Sequence, residues 1–152
     1  MVVMKAVRFA LIATGALASF SVAAAPADVI TARQQGYKQI GRAFKAIGDS
    51  LKATPDVALI RTNAAVIAQQ APKITSWFPA GTGKEAGVKT GALPAIWSQR
   101  AEFDADAKKF ADAAKAFNGV AAKGNVDEIK TAAGALGQTC KGCHTTFRER
   151  DS

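Results

Sequence analysis

The sequence predicts an all-α protein, an antiparallel up-down-up-down four-helix bundle, and three observations carry that reading. Apolar residues recur at alternating steps of three and four in four separate segments, the seam along which neighbouring helices pack at about 20°. No stretch alternates apolar and polar residues with period two over a useful length, so strands are not expected. The first and third joins between segments are short, which makes the helices on either side of each antiparallel neighbours.

A leader precedes the bundle. Met1 to Arg8 carries the basic residues Lys5 and Arg8 and no acid, FALIATGALASF (9–20) is apolar, and SVAAAP (21–26) consists of small residues. This is the order of a secretory signal peptide. Val22 or Ser21 three places before the cut favours cleavage after Ala24 or Ala23, and Pro26 would be a poor first residue. The apolar run is too short to span a bilayer as a helix, so 1–24 is expected to be removed rather than to anchor the chain. Residues 25–152 then form a single exported domain, periplasmic in a bacterium. Its roughly 128 residues are enough to bury about two-thirds of the unfolded surface.

The first helical seam runs Ile30, Tyr37, Ile40, Phe44, Ile47, Leu51, with Arg33 at the missing step and Asp28 placed to cap it. The second runs Val57, Ile60, Ala64, Ile67, Ala71, Ile74, Phe78, opened by Thr54, Pro55 and Asp56. Pro72 should kink it or end it early, because proline lacks a donor and crowds the carbonyl of Ala68. One long loop follows, FPAGTGKEAGVKTGALP (78–94). The third seam is Ile96, Phe103, Ala107, Phe110, Ala114, Phe117, with Arg100 at its missing step, and Asn118 to Gly124 is expected to turn the chain. The fourth is Val126, Ile129, Ala133, Leu136, Cys140, Cys143, Phe147, opened by Asn125 with Glu128 three places on, a capping-box pattern.

The formal charge is +8, and loss of Lys5 and Arg8 with the leader lowers it to +6. The basic residues are scattered with no run suited to nucleic acid, so they read as a solvated surface that favours acidic partners or an anionic membrane face. The two cysteines cannot form the multi-bridge framework of small secreted domains.

Those cysteines lie in CKGCH (140–144), for which three chemistries compete. Structural zinc needs about four ligands and catalytic zinc three plus water, and nothing else at ligand spacing joins Cys140, Cys143 and the single histidine, His144. A thiol–disulfide enzyme places its pair at a helix start in a βαβ setting, whereas this pair lies late in a C-terminal helix. Covalent haem fits better. Cysteines three apart share a helix face, where each sulfur can form a thioether to one vinyl group, and His144 is next in line to bind iron. Export supplies the compartment in which such haem is normally attached. A sixth ligand is harder to find: His144 is the only histidine, and the only methionines, Met1 and Met4, leave with the leader. The expectation is one covalent haem c with pentacoordinate iron and an open distal face.

CKGCHTTFR (140–148) resembles the C-terminal haem-binding helix of the cytochromes c′, a family of up-down bundles, with Arg148 four places after the histidine. ARQQGYKQIGRAF (32–44) resembles the family's first helix, with Arg33, Gln34 and Tyr37 in matching places, and FPAGT (78–82) and TGALPAIW (90–97) resemble the loop into its third helix. Gly91 departs from the family, where this position often carries a charge. The resemblance spans essentially the whole exported chain. It implies that Arg33 meets a haem propionate and that Tyr37 walls the distal side. Arg148 neighbours the proximal pocket, Gln34 and Thr90 lie beside the cofactor, and Phe103 and Phe147 pack against it. Trp77 and Phe78, like Phe103 and Phe147, read as core or haem packing rather than chemistry.

The resemblance further implies binding of a small gas, nitric oxide or carbon monoxide, by high-spin iron in a homodimer. Since the sequence shows no acid–base pair or substrate pocket, an enzyme is not expected. The alternative is an electron carrier with a periplasmic redox partner. A helical protein with a lone disulfide is the non-haem reading. Gly36 and Gly41 each weaken the first helix by roughly 1 kcal/mol against alanine, so close approach to haem or to a partner helix is expected there.

Overall fold

The computed structural model describes residues 24–150. The signal-peptide reading therefore concerns residues that lie, apart from Ala24, outside the described ones. Four long helices form the bundle, α1 (Pro26–Lys52), α2 (Val57–Gln70), α4 (Arg100–Lys123) and α5 (Val126–Phe147), with a single-turn α3 (Ala95–Ser98) leading into α4. Helix α1 packs on α2, α2 on α4, and α4 on α5. The only β-type pairing among the described residues is an isolated bridge between Ala92 and Arg148. No described helix is long and apolar enough to cross a membrane.

Most positions of the seams read from the sequence are buried, while Tyr37, Phe44, Leu51, Val57, Val126, Cys140 and Cys143 are partly so. Ile30, Ile40 and Ile47 of α1, Ile60, Ala64 and Ile67 of α2, Phe103, Ala107, Phe110, Ala114 and Phe117 of α4, and Ile129, Ala133, Leu136 and Phe147 of α5 all point inward. Pro72 acts as expected. Helix α2 stops at Gln70, and the chain tightens into a 3₁₀ helix, Ala71–Trp77, that keeps Ala71 and Ile74 on the core side.

Several ends differ from expectation. Asp28 does not cap α1, which starts earlier at Pro26 with Ala25 as its N-cap. Proline's fixed φ and missing donor suit a first helical position, and Asp28 is left in the first turn, where its charge complements the helix dipole. At α2 the capping side chain is Asp56, which accepts hydrogen bonds from the amides of Ala58 (2.9 Å) and Leu59 (3.0 Å). The third segment is broken at Gln99, whose φ of −116° and ψ of 46° are not helical. Beyond that break Arg100 reaches back to the carbonyls of Thr75 (2.8 Å) and Phe78 (3.0 Å) at the end of the 3₁₀ helix, and pairs with Asp104.

Residues 118–123 do not form a turn. Helix α4 runs on to Lys123 because Ala121 continues the seam of Phe117, both fully buried, and Gly124 ends it in the left-handed region at φ 83°. Asn125 then caps α5 through the amides of Asp127 and Glu128.

Candidate functional site

With α1, α2, α4 and α5 packed in succession, the α1–α5 pair closes the bundle least tightly. The two helices meet where the Phe44 ring lies against Gly137, close enough that a Cβ there would sit 3.4 Å from it. Between them opens a cavity of about 540 Å³, within the range of small-molecule and cofactor sites. Its walls are mostly apolar, with Ile40 and Phe44 from α1, Ile74 from the 3₁₀ helix, and Ala107 and Phe110 from α4. All ten residues singled out from the sequence line it: Arg33, Gln34, Tyr37, Thr90, Phe103, Cys140, Cys143, His144, Phe147 and Arg148.

Helix α5 supplies the reactive wall. Cys140 and Cys143 are free and half-buried, one turn apart on the same face. Burial pushes both thiols up, and for Cys143, which also feels Asp106 and Cys140, up to about 11. Near neutral pH both are therefore S–H groups. His144 follows directly, its pKa held down by partial burial and then by the nearby charge of Arg148. The imidazole is thus neutral and keeps a lone pair for a metal. Phe147 closes the end of the wall, edge-on to Phe103 with ring centres 5.4 Å apart. No three of His, Cys, Asp and Glu gather as a metal-ion site among the described residues. Two neutral thiols, one unprotonated imidazole and a large apolar cavity suit a haem with two thioether links and one axial histidine.

Across the cavity stands α1. Tyr37 rests its ring edge-on against Trp77 at 5.1 Å, and burial pushes its phenol well above the ordinary range, so it stays protonated. Gly36 explains how Trp77 comes so close: a Cβ there would lie 2.4 Å from the indole, so only glycine admits it. The close approach expected at Gly36 is thus to the 3₁₀ helix. Gly41 has nothing within 4 Å of its Cβ position and lines the cavity. Gln34 donates to the Lys89 carbonyl at 2.9 Å. Arg33 is buried at 2% exposure, and its two terminal nitrogens donate to the hydroxyls of Thr82 (2.9 Å) and Thr90 (2.8 Å). Its guanidinium carbon lies 4.6 Å from the centre of the Phe78 ring.

The cavity's end is closed by the long loop. Leu93 N donates to the Phe147 carbonyl (3.1 Å) and Glu149 N to that of Gly91 (2.8 Å), which ties the end of α5 to the loop. Lys84 pairs with Glu149 over the same junction. Sequence reasoning did not find Thr82, whose role depends on a residue 49 positions away. Nor did it name Lys38, an exposed residue that also lines the cavity. Phe44 and Phe110 were legible only as seam positions.

Comparison with known proteins agrees along the chain. The family model described as cytochrome c′ matches residues 28–148. A cytochrome c′ of Rhodopseudomonas palustris is 37% identical over 150 residues, covering 95% of this chain and 98% of the relative. Among solved structures, a cytochrome c′ described as having ligand-controlled dimer dissociation superposes with a TM-score of 0.79 at 30% identity, covering 85% of this chain and all of that one. A nitric oxide complex of a mutant cytochrome c′ from Alcaligenes xylosoxidans superposes at 0.76 and 27% identity, covering 86% of this chain and all of the other.

Proposed function

The chain belongs to the cytochrome c′ family, whose members carry a covalently attached haem c, and from that premise we propose a periplasmic haem protein that binds nitric oxide and carbon monoxide at pentacoordinate, high-spin iron. One observation carries this. The chain has a single histidine, His144, and no methionine outside the leader, so the exported protein lacks both common strong sixth ligands. Bound haem supplies an iron with a vacant coordination position. The α1 wall opposite His144 presents Tyr37, Ile40, Gly41 and Phe44, and the phenol of Tyr37 is held neutral. Such a wall crowds an incoming ligand and offers it at most one donor. Cys140 and Cys143 would hold the vinyl edge, and Arg33 the carboxylate edge.

With His144 committed to the iron and both cysteines to the thioether links, the reading we favour for this cavity is ligand binding rather than catalysis. Export rests on the leader. A homodimer through the outer faces of α1 and α2 is the assembly we favour, supported by the dimeric relative, and light scattering that shows monomer at all concentrations would count against it.

Absorption spectra of protein expressed in the periplasm, oxidised, reduced and with nitric oxide, test the central proposal. High-spin spectra and a nitrosyl adduct are expected. A low-spin spectrum near neutral pH would reveal a sixth protein ligand, with a lysine such as Lys38, or Tyr37 itself, the first candidate, and would put the electron carrier ahead.

A further inference from the structure

The buried guanidinium of Arg33 has no carboxylate within ion-pair distance among the described residues. Glu85 acts on it only from a distance. A buried cation without a counter-charge is costly, yet here the site is built around it. Thr82, itself 2% exposed, is the most constrained part. Its hydroxyl donates to the Pro79 carbonyl at 2.8 Å, so only its lone pairs remain for Arg33, whose Nη1 it accepts at 2.9 Å. Pro79 O is in turn held by the indole N–H of Trp97 at 3.1 Å. Thr90 takes Nη2 on the other side and also accepts the Ala92 amide at 3.2 Å. Two hydroxyls and the face of Phe78 thus fix the guanidinium plane. They use two of its five N–H donors, leaving three for the cavity that Arg33 lines.

We infer that Thr82 is a positioning residue: its hydroxyl, oriented by Pro79, holds Arg33 as a fixed positive charge toward the anionic edge of the haem and so raises the reduction potential. The inference rests on the placement of Arg33 beside the carboxylate edge. Reduction adds one electron to the haem, and a positive charge held nearby in a low-dielectric site favours that state. Without the Thr82 acceptor, one buried N–H is orphaned, and the guanidinium turns toward water to satisfy it.

The test is the midpoint potential of the holoprotein, from spectroelectrochemical titration. Thr82→Val should raise the oxidised-to-reduced ratio about threefold at a fixed applied potential, a fall of roughly 30 mV for one electron. Thr82→Ser should restore the wild-type value. Arg33→Gln should lower the potential at least as far, and adding Thr82→Val to it should change nothing more. Should Thr82→Val fail to fold, Thr82→Ala makes the same comparison without placing a methyl against the guanidinium. A wild-type potential in folded Thr82→Val, with Arg33→Gln still shifted, overturns the role of Thr82 alone. An unchanged potential in Arg33→Gln overturns the placement of Arg33 as well. A Thr82→Val shift that persists in the Arg33→Gln background also overturns the proposal, since the effect would not run through Arg33.

Discussion

Replacing Gly36 by alanine, and separately Gly48 by alanine, puts the same methyl group on the same helix in two surroundings. Both changes remove a glycine from the interior of α1, which by itself stabilises by about 1 kcal/mol. At Gly48 nothing lies within 4 Å of the new Cβ, so that gain is the whole expected effect. At Gly36 the Cβ would lie 2.4 Å from Cη2 and 2.6 Å from Cζ2 of Trp77. Carbon atoms rest at about 3.5–4.0 Å, so the indole must retreat by roughly 1 Å or more. It cannot retreat alone, because Tyr37 packs edge-on against it with ring centres 5.1 Å apart. Overpacking of this kind costs about 1–3 kcal/mol, which outweighs the helical gain. The expected result is a net loss of about 1 kcal/mol for Gly36→Ala and a spread of about 2 kcal/mol between the variants. Urea unfolding of the holoprotein, followed by far-UV circular dichroism at one protein concentration, reads the difference as a shift in midpoint at constant slope. Gly36→Ala as stabilising as Gly48→Ala would refute the tight seat of Trp77.

Three further outcomes are expected. Cys140→Ala combined with Cys143→Ala should leave any bound haem extractable by acidified organic solvent, whereas the wild-type colour stays with the protein; a colourless wild type after co-expression with a haem-attachment system would remove the central claim. Tyr37→Ala should keep the haem but admit larger ligands or speed carbon monoxide and nitric oxide binding, measured by flash photolysis, and unchanged rates would move the steric barrier elsewhere on the wall. Asp56→Ala removes an acceptor shared by two amides at the start of α2 and should destabilise by about 1 kcal/mol in the same urea assay.

The parts of this protein visible in the sequence are those set by residues three or four positions apart. Helix faces repeat over that distance, so the seams from Ile30 to Phe147 could be read directly, as could the stop at Pro72 and the pairing of Cys140, Cys143 and His144 on one turn. That the chain has one histidine and only the methionines Met1 and Met4 was legible too, because such an inventory needs no coordinates. Ends were read less well. Asp28 and the 118–124 stretch carry capping and turn residue types, but the first proline and the buried Ala121 decided where α1 begins and α4 ends.

What brings distant segments together was decided by the fold. Helices α1 and α5 stand apart and enclose the cavity because each is packed on a different neighbour, which no local period encodes. Arg33 stood out in the sequence as a charge on an apolar seam, but its acceptors lie 49 and 57 residues away in the loop. The glycine at position 36 is explained only by an indole from the 3₁₀ helix, and the loop is closed only by backbone bonds from the end of α5. Helical periodicity tells a residue which way to face; the partner it meets depends on how all the elements fill one volume.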